Sequence, residues 1–175
     1  EKFGKSYFSL NSDGSRADLI MIKGGGYRHP SSEETLREKV VDEYGNIRSD
    51  EQGYMQGGDV FNFVIREIPR DIKKTLEYVG DTADSFDYIV FHQANNFINA
   101  YIAKKMKLDT DKIPSTIAKY GNTSSVSVPL TIVSELKDRL YGNKKLLLSA
   151  FGVGMTWATG IVPFVDCKIS DIVEV

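Results

Sequence analysis

Cysteine, histidine and long apolar runs are scarce in this sequence, and each scarcity excludes a class of protein. The chain has one cysteine and two histidines among 175 residues. A single thiol cannot form an internal disulfide, so we expect a reducing compartment and a cytoplasmic location. Because His29, His92 and Cys167 do not pair at the spacing of metal ligands, no metal site is predicted. No run of about 18 apolar residues is present, so no membrane span is expected.

A surplus of basic residues is also absent. Lys and Arg number 22 against 24 Asp and Glu, for a formal net charge of −2. Nucleic-acid binding requires a surplus of cations on one face, so that class of partner is excluded. A hydrophobic fraction of 41% is enough to build a core, and we interpret residues 1–175 as one globular domain. Its start lacks the apolar core of a signal peptide and looks cut from a longer protein.

Hydrophobic periodicity predicts strands that alternate with helices. Residues 17–22 are typical of a buried strand, and apolar spacing over residues 60–79 predicts a helix that Pro69 interrupts or kinks. A polar excursion over residues 28–54 separates them. The resulting order predicts an α/β domain with a mixed β-sheet flanked by helices. The later predicted elements are strands over 86–91, 114–119, 145–151 and 156–165, with helices over 97–106 and 130–140.

Three candidate site features each follow a predicted strand: His92, the turn at Asn122, and the glycine-bearing turn around Val153. In open α/β sheets, sites form at the carboxyl ends of strands, so these features converge if the strands are neighbours. His92 also precedes a helix N-terminus, which disfavours the imidazolium and predicts a neutral hydrogen-bond donor. His92 and Asn122 each also have a purely structural interpretation. His92 is then a histidine that fills a strand end, and Asn122 is an asparagine in a turn after glycine.

Two glycine-rich segments do not predict nucleotide binding. The turn Gly152-Val153-Gly154 is followed by a strand, and Trp157 stands where a dinucleotide fingerprint needs a third glycine. The run over residues 24–26 lacks the Lys-Ser/Thr ending of a phosphate-binding loop.

Three segments taken together are more specific than any one alone. Asn122 follows His92 by 30 positions (122 − 92). The segments are Phe91-His92-Gln93-Ala94-Asn95, Tyr120-Gly121-Asn122-Thr123-Ser124-Ser125 and Phe151-Gly152-Val153-Gly154-Met155-Thr156-Trp157. In order, spacing and flanking residues they resemble the signatures of the β-ketoacyl-acyl-carrier-protein synthase III family, and the likeness runs from about residue 12 to residue 164. The family implies a thiolase-like fold of two similar halves, and this chain resembles the C-terminal half.

The resemblance implies an acyltransferase that starts fatty-acid synthesis by decarboxylative condensation of acyl-CoA with malonyl-acyl-carrier-protein. By resemblance, His92 and Asn122 would hold the malonyl thioester oxygen, and the backbone N–H of Val153 would be one arm of the oxyanion hole for an acyl-cysteine. The nucleophilic cysteine belongs to the N-terminal half, so this chain alone is expected to be inactive. No permanent cofactor is implied, because thioesters of coenzyme A and of carrier-protein phosphopantetheine are the substrates.

The implied partners are acyl carrier protein, acyl-CoA, the N-terminal half and a second copy in a homodimer. Phe97, however, stands where many family members have a basic residue for the carrier protein, and Val153 replaces a common glycine. The polar excursion over residues 28–54, which is longer than in typical family members, is a third departure. Residues expected to contact substrate or carrier protein are Gln93, Lys104, Lys105, Gly152 and Gly154.

Two alternatives stay open, and the departures favour the first of them. One is a synthase-III-like acyltransferase or condensing enzyme of specialised or surface-polymer metabolism, which would use a different acceptor. The other is a non-catalytic module that pairs with a subunit supplying the cysteine.

Overall fold

A four-stranded mixed sheet forms the centre of the structure, a computed structural model that describes residues 4–173. The α-helices are α1 (Glu33–Leu36), α2 (Gly57–Val79), α3 (Asn96–Met106), α4 (Ile117–Tyr120) and α5 (Ser127–Leu136). The strands are β1 (Tyr7–Ser12), β2 (Ile20–Met21), β3 (Lys39–Val40), β4 (Ile47–Arg48), β5 (Tyr54–Met55), β6 (Tyr88–Phe91), β7 (Asn143–Gly152) and β8 (Thr156–Val165).

The central sheet has the order β1-β8-β7-β6. β1, β8 and β7 pair antiparallel, and β6 joins β7 in parallel. The predicted hairpin is the β7–β8 pair, and the predicted mixed sheet is confirmed. The remaining strands form two short pairs, β2 with β5 and β3 with β4.

Helices pack on both faces of this sheet because successive strand residues point to opposite sides. Ile89 and Phe91 of β6 join the core formed with α2 and α3. Val90, between them, packs against Ile132 and Leu136 of α5 in a second core. The structure therefore has three layers: α2 and α3 on one face, the sheet in the middle, and α5 on the other face.

On the face that carries α5, the second core reaches β6, β7 and Phe164 of β8 but not the edge strand β1. Along β1 the side chains alternate between partly buried and exposed. Phe8 and Leu10 are on the exposed side, at 65% and 78% exposure. Phe8 lies directly over Gly160 of β8, where a Cβ atom would approach the ring to 3.2 Å. An apolar strip of the sheet thus faces outwards beside α5.

The opposite side of β1 is fixed to α2 by a buried carboxylate. Asp71 of α2 accepts hydrogen bonds from Ser9 Oγ at 2.6 Å and Asn11 Nδ2 at 2.9 Å, both on β1. It also accepts one from Thr159 Oγ1 of β8 at 2.6 Å. A buried carboxylate is tolerated when such donors surround it, and these bonds hold the edge strand in register.

Two predicted strands are wrong in part or whole. Residues 17–22 contain the end of a 3₁₀ helix, Gly14–Leu19, which Asp13 caps by accepting the Ser15 N–H, and only β2 is extended. Residues 114–119 lead into α4 because the Thr116 carbonyl accepts the N–H groups of the third and fourth residues after it. Local hydrogen bonds override the apolar pattern in both segments. The excursion contains the short helix α1, as expected.

Pro69 lies inside α2, which runs through it as one helix, so the predicted interruption is wrong. Proline has no backbone N–H, and the Ile65 carbonyl one turn earlier therefore lacks its helical donor. Lys105 of α3 supplies a replacement, because its Nζ donates to the Ile65 oxygen at 2.7 Å. This bond joins α3 to α2 where the proline would weaken the helix.

We expect the stabilising effect of Lys105 to depend on Pro69. Lys105→Met should lower the free energy of unfolding of the complete protein by about 1 kcal/mol, because a carbonyl loses its charged donor. In a Pro69→Ala background the restored N–H occupies that carbonyl, and the same substitution should cost much less. Urea unfolding of the four variants measures the coupling. Lys104→Met, on the same helix, is the control, and an equal cost of Lys105→Met in both backgrounds contradicts the prediction.

Candidate active site

A cavity of about 1020 Å³ opens at the carboxyl ends of β6 and β7. His92, Asn122 and Val153 all line it, so the structure brings together the three features that the sequence singled out, although Asn122 follows α4 instead of a strand. Most of the surrounding wall is apolar, including Phe61 and Trp157. The arrangement places a few polar groups in an apolar enclosure, which is typical of a small-molecule site.

The backbone of His92 continues the sheet beyond β6. Its N–H donates to the Ser149 carbonyl of β7 at 2.8 Å, and its own carbonyl accepts from Asn99 Nδ2 of α3 at 3.2 Å. The ring packs edge-to-face against Phe151, with centroids 5.1 Å apart and planes at 82°. Strand pairing, helix and aromatic packing together fix the imidazole at the cavity wall.

The His92 ring is half-buried, and its Nδ1 lies 2.6 Å from the Ser127 hydroxyl oxygen. Burial lowers the pKa of His92 below its ordinary value, because desolvation disfavours the imidazolium. The predicted neutral imidazole therefore agrees with the direction of this shift. Ser127 was not singled out in the sequence, although a polar residue between Val126 and Val128 in an apolar run is a signal of a buried partner.

Gln93 is fully buried, and its side-chain amide is hydrogen-bonded within the protein. Its Nε2 donates to the Phe91 carbonyl at 2.8 Å. Its Oε1 accepts from the Thr116 N–H at 3.0 Å and from Ser115 Oγ at 3.1 Å. The amide thus holds the loop after β6, and the role of Gln93 in substrate or carrier-protein binding stays a prediction.

Asn122 follows the sharp turn that ends α4. Gly121 has φ +66° and ψ −153°, a conformation that residues with a Cβ rarely adopt. The Asn122 Oδ1 accepts the Ser124 N–H at 2.9 Å. Because the oxygen makes this local bond, the Nδ2 amino group is the part of the side chain that can donate to a ligand in the cavity.

The turn between β7 and β8 forms the cavity rim. Val153 is 62% exposed, and its carbonyl accepts from Thr156 Oγ1 at 2.9 Å. Gly152 also lines the cavity. Gly154 serves the turn itself, since a Cβ there would lie 2.7 Å from Thr156 Cγ2.

The cavity edge near α3 is aromatic. Phe97 is 69% exposed and stacks on Phe61 of α2, with centroids 5.5 Å apart, and Tyr101 meets Phe61 edge-on at 6.0 Å. Lys104 lies exposed further along α3, and Lys105 is bound to the α2 backbone. The nearest cationic groups on this helix therefore lie about two turns beyond Phe97.

Other features of the described chain lie outside this cavity. His29 lines a smaller one of about 600 Å³ in the excursion, together with Lys23 and Arg28. Within residues 4–173 no three His, Cys, Asp or Glu side chains are grouped to hold a metal ion. No helix in the same residues is long and apolar enough to cross a membrane.

Comparisons with known proteins place this architecture among thiolase-like proteins. A model of the C-terminal region of 3-oxoacyl-[acyl-carrier-protein (ACP)] synthase III matches residues 76–164. The β-ketoacyl-[acyl-carrier-protein] synthase III of Streptococcus pneumoniae (strain Hungary19A-6) is 34% identical over 158 residues, which are 88% of this chain and 45% of that protein.

Solved structures agree. A crystal structure of 3-oxoacyl-(acyl-carrier-protein) synthase III superposes with a TM-score of 0.84 at 36% identity, over 93% of this chain and 48% of that one. The 3-oxoacyl-(acyl-carrier protein) synthase of Burkholderia xenovorans LB400 also gives 0.84, at 35% identity over 97% of this chain and 47% of that one.

The chain belongs to the 3-oxoacyl-[acyl-carrier-protein] synthase III family and matches its C-terminal region. The predicted family and the predicted likeness to its C-terminal half are thereby confirmed. The chain spans about half the length of the curated relatives it matches.

We expect His92 to titrate below its ordinary pKa of about 6.5. The unfolded chain then binds a proton at His92 more readily than the folded chain does. His92 therefore lowers the free energy of unfolding as the pH falls below about 6.5, and has no such effect above it. A ¹⁵N NMR titration of the complete protein measures this pKa, with His92→Gln to assign the signal. A midpoint above 6.5 contradicts the expectation.

Proposed function

We propose that the complete protein is an acyltransferase that condenses acyl-CoA with malonyl-acyl-carrier-protein by decarboxylation, in the initiation of fatty-acid synthesis. This chain would be its C-terminal domain and supply the His92 and Asn122 half of the site. The observation that carries the proposal is that these two neutral hydrogen-bonding side chains line one largely apolar cavity at the ends of neighbouring strands. Family membership supports the reaction class.

The proposed chemistry needs neutral donors at a developing oxyanion. When the malonyl carboxylate leaves as CO₂, its bonding electron pair becomes the enolate of the thioester, with the negative charge on oxygen. His92 Nε2–H and Asn122 Nδ2–H would donate to that oxygen. Such preorganised donors stabilise a transition state most strongly where water is excluded, and the burial that lowers the pKa of His92 indicates partial exclusion.

The second step requires an acyl-cysteine. The enolate carbon would attack the acyl thioester carbonyl, form the new carbon–carbon bond and expel the cysteine thiolate. The Val153 backbone N–H would donate to the oxyanion formed in this attack. The single cysteine of this chain, Cys167, is exposed and does not line the cavity. We therefore propose that the nucleophile comes from an N-terminal half and that this chain is inactive alone.

The outward apolar strip of the sheet is the proposed contact for that half. Phe8 and Leu10 expose large apolar surfaces beside α5, and such a patch favours burial against another domain. The substrates in this proposal are thioesters of coenzyme A and of an acyl carrier protein, with no permanent cofactor, and the complete protein is a homodimer as the family resemblance implies.

A second candidate function follows from the aromatic cavity edge. An acidic carrier protein is recognised by cations, and here Phe97 stacks on Phe61 while Lys105 is bound to Ile65. These contacts favour an acceptor other than an acyl carrier protein. The alternative is a synthase-III-like acyltransferase or condensing enzyme of specialised or surface-polymer metabolism.

Substitution of the sheet strip tests the interface. If Phe8 and Leu10 pack against the N-terminal half, Phe8→Glu with Leu10→Glu should lower the thermal midpoint of the complete protein by several degrees, because two charges would be buried. Tyr44→Glu, at an exposed position of the excursion, is the control. Residues that remain exposed tolerate substitution within about 0.5 kcal/mol, so an unchanged midpoint would exclude this contact.

Decarboxylation of a malonyl thioester by the complete protein tests the function. His92→Ala and Asn122→Ala should each lower the rate by ~10² or more, because each removes one oxyanion donor. His29→Ala and Asn46→Ala are matched controls away from the cavity and should retain full rate. If the wild-type protein becomes acylated yet never decarboxylates malonyl thioesters, the condensing proposal fails and the acyltransferase alternative replaces it.

A further inference from the structure

The hydroxyl of Ser127 makes two hydrogen bonds that together determine where its proton lies. Its oxygen is 2.6 Å from His92 Nδ1, and it accepts the Gln93 N–H at 3.2 Å. Ser127 is only 1% exposed, so bulk water is not an available partner. In the part of the chain that the structure describes, these are the only two partners of the Ser127 oxygen.

Hydrogen-bond accounting selects one tautomer of His92. If Nδ1 carried the proton, the Ser127 oxygen would accept two bonds, and its own hydrogen would be buried without an acceptor. An unsatisfied buried donor is costly. If Nδ1 is unprotonated, the hydroxyl donates to Nδ1 and still accepts from Gln93, so all three groups are satisfied. The neutral imidazole then carries its proton on Nε2.

We propose that Ser127 is a positioning residue that fixes the tautomer of His92. Its hydroxyl donates to Nδ1 and so keeps a proton on Nε2, the ring nitrogen that would donate to the substrate. This inference rests on the proposed function of His92 and deepens it, because a donor to an enolate oxygen requires the Nε2–H form. In the other tautomer Nε2 would present a lone pair and repel that oxygen.

A chain of buried hydrogen bonds holds Ser127 in place. Thr131 Oγ1, one turn further along α5, donates to the Ser127 carbonyl at 2.8 Å. Thr131 in turn bonds Thr116 Oγ1 at 2.8 Å, and because its proton is already used, Thr116 is the donor. The Thr116 N–H then donates to Gln93 Oε1 at 3.0 Å.

The chain returns to its start, since Gln93 follows His92 and donates its own N–H to Ser127. α5, the segment before α4 and the loop after β6 are therefore linked in one closed circuit. Such a circuit leaves the Ser127 hydroxyl little freedom to rotate away from the imidazole, and ties the tautomer to the packing of three chain segments.

The tautomer can be measured without any substrate. The ¹⁵N chemical shifts of His92 in the complete protein distinguish a protonated from an unprotonated ring nitrogen. At a pH where the ring is neutral, the wild-type protein should show a protonated Nε2 and an unprotonated Nδ1. In Ser127→Ala this preference should weaken, giving a mixture of the two forms. A protonated Nδ1 in the wild-type protein would overturn the proposal whether or not any variant folds.

Kinetics provides the second readout. Ser127→Ala should lower kcat for malonyl-thioester decarboxylation by about 10- to 100-fold, by analogy with residues that orient the histidine ligands of metal sites. KM should change less, because the cavity wall is otherwise intact. Ser127→Thr keeps the hydroxyl and should recover most of kcat and the wild-type tautomer. Thr75→Val is the matched control and should retain both, because it removes a buried hydroxyl on α2 that donates to the Asp71 carbonyl, away from the cavity.

The outcomes separate this proposal from the proposed function. If His92→Ala loses decarboxylation but Ser127→Ala keeps both its rate and a protonated Nε2, Ser127 has only a structural role and the inference fails. If His92→Ala has no effect on the rate while the wild-type tautomer is as expected, the hydrogen-bond assignment holds and the proposed function fails instead.

Discussion

The parallel pairing of β6 with β7 is the constraint on which the site depends. Because the two strands run the same way, both end at one edge of the sheet, and the bond from the His92 N–H to the Ser149 carbonyl extends the pairing into the site. That bond places the imidazole beside Phe151 and next to the turn that bears Val153. A sheet with these strands apart would leave the same residues unable to act on one ligand.

A neutral imidazole is maintained here by several contributions that agree in direction. Burial disfavours the charged form, the neighbouring wall is apolar, and the Ser127 hydroxyl satisfies the ring nitrogen that faces the protein. Burial and the apolar wall also reduce the competition that water would offer to a ligand oxygen. The cost of burying polar groups near His92 is offset by the satisfied bonds of Gln93 and Thr116.

Two residues of α3 that bear on carrier-protein recognition, Phe97 and Lys105, both make contacts with α2. Phe97 extends an aromatic surface at the cavity edge, because it stacks on Phe61 instead of presenting a cation. Lys105 keeps its charge but directs it to the backbone of α2, where Pro69 has removed a donor. A basic residue in the sequence is thus a poor guide to a docking surface until its partner is known.

The sequence by itself determined the mixed α/β class, the hairpin and the family, because periodicity and short motifs are local properties. It also selected His92, Asn122 and Val153, each of which follows a turn or strand end. Only the tertiary structure decided the partner of His92, the burial of Gln93 and the continuity of α2 through Pro69. These depend on contacts between residues tens of positions apart, such as the 35 that separate His92 from Ser127, and no local pattern encodes which distant side chain will satisfy a given donor.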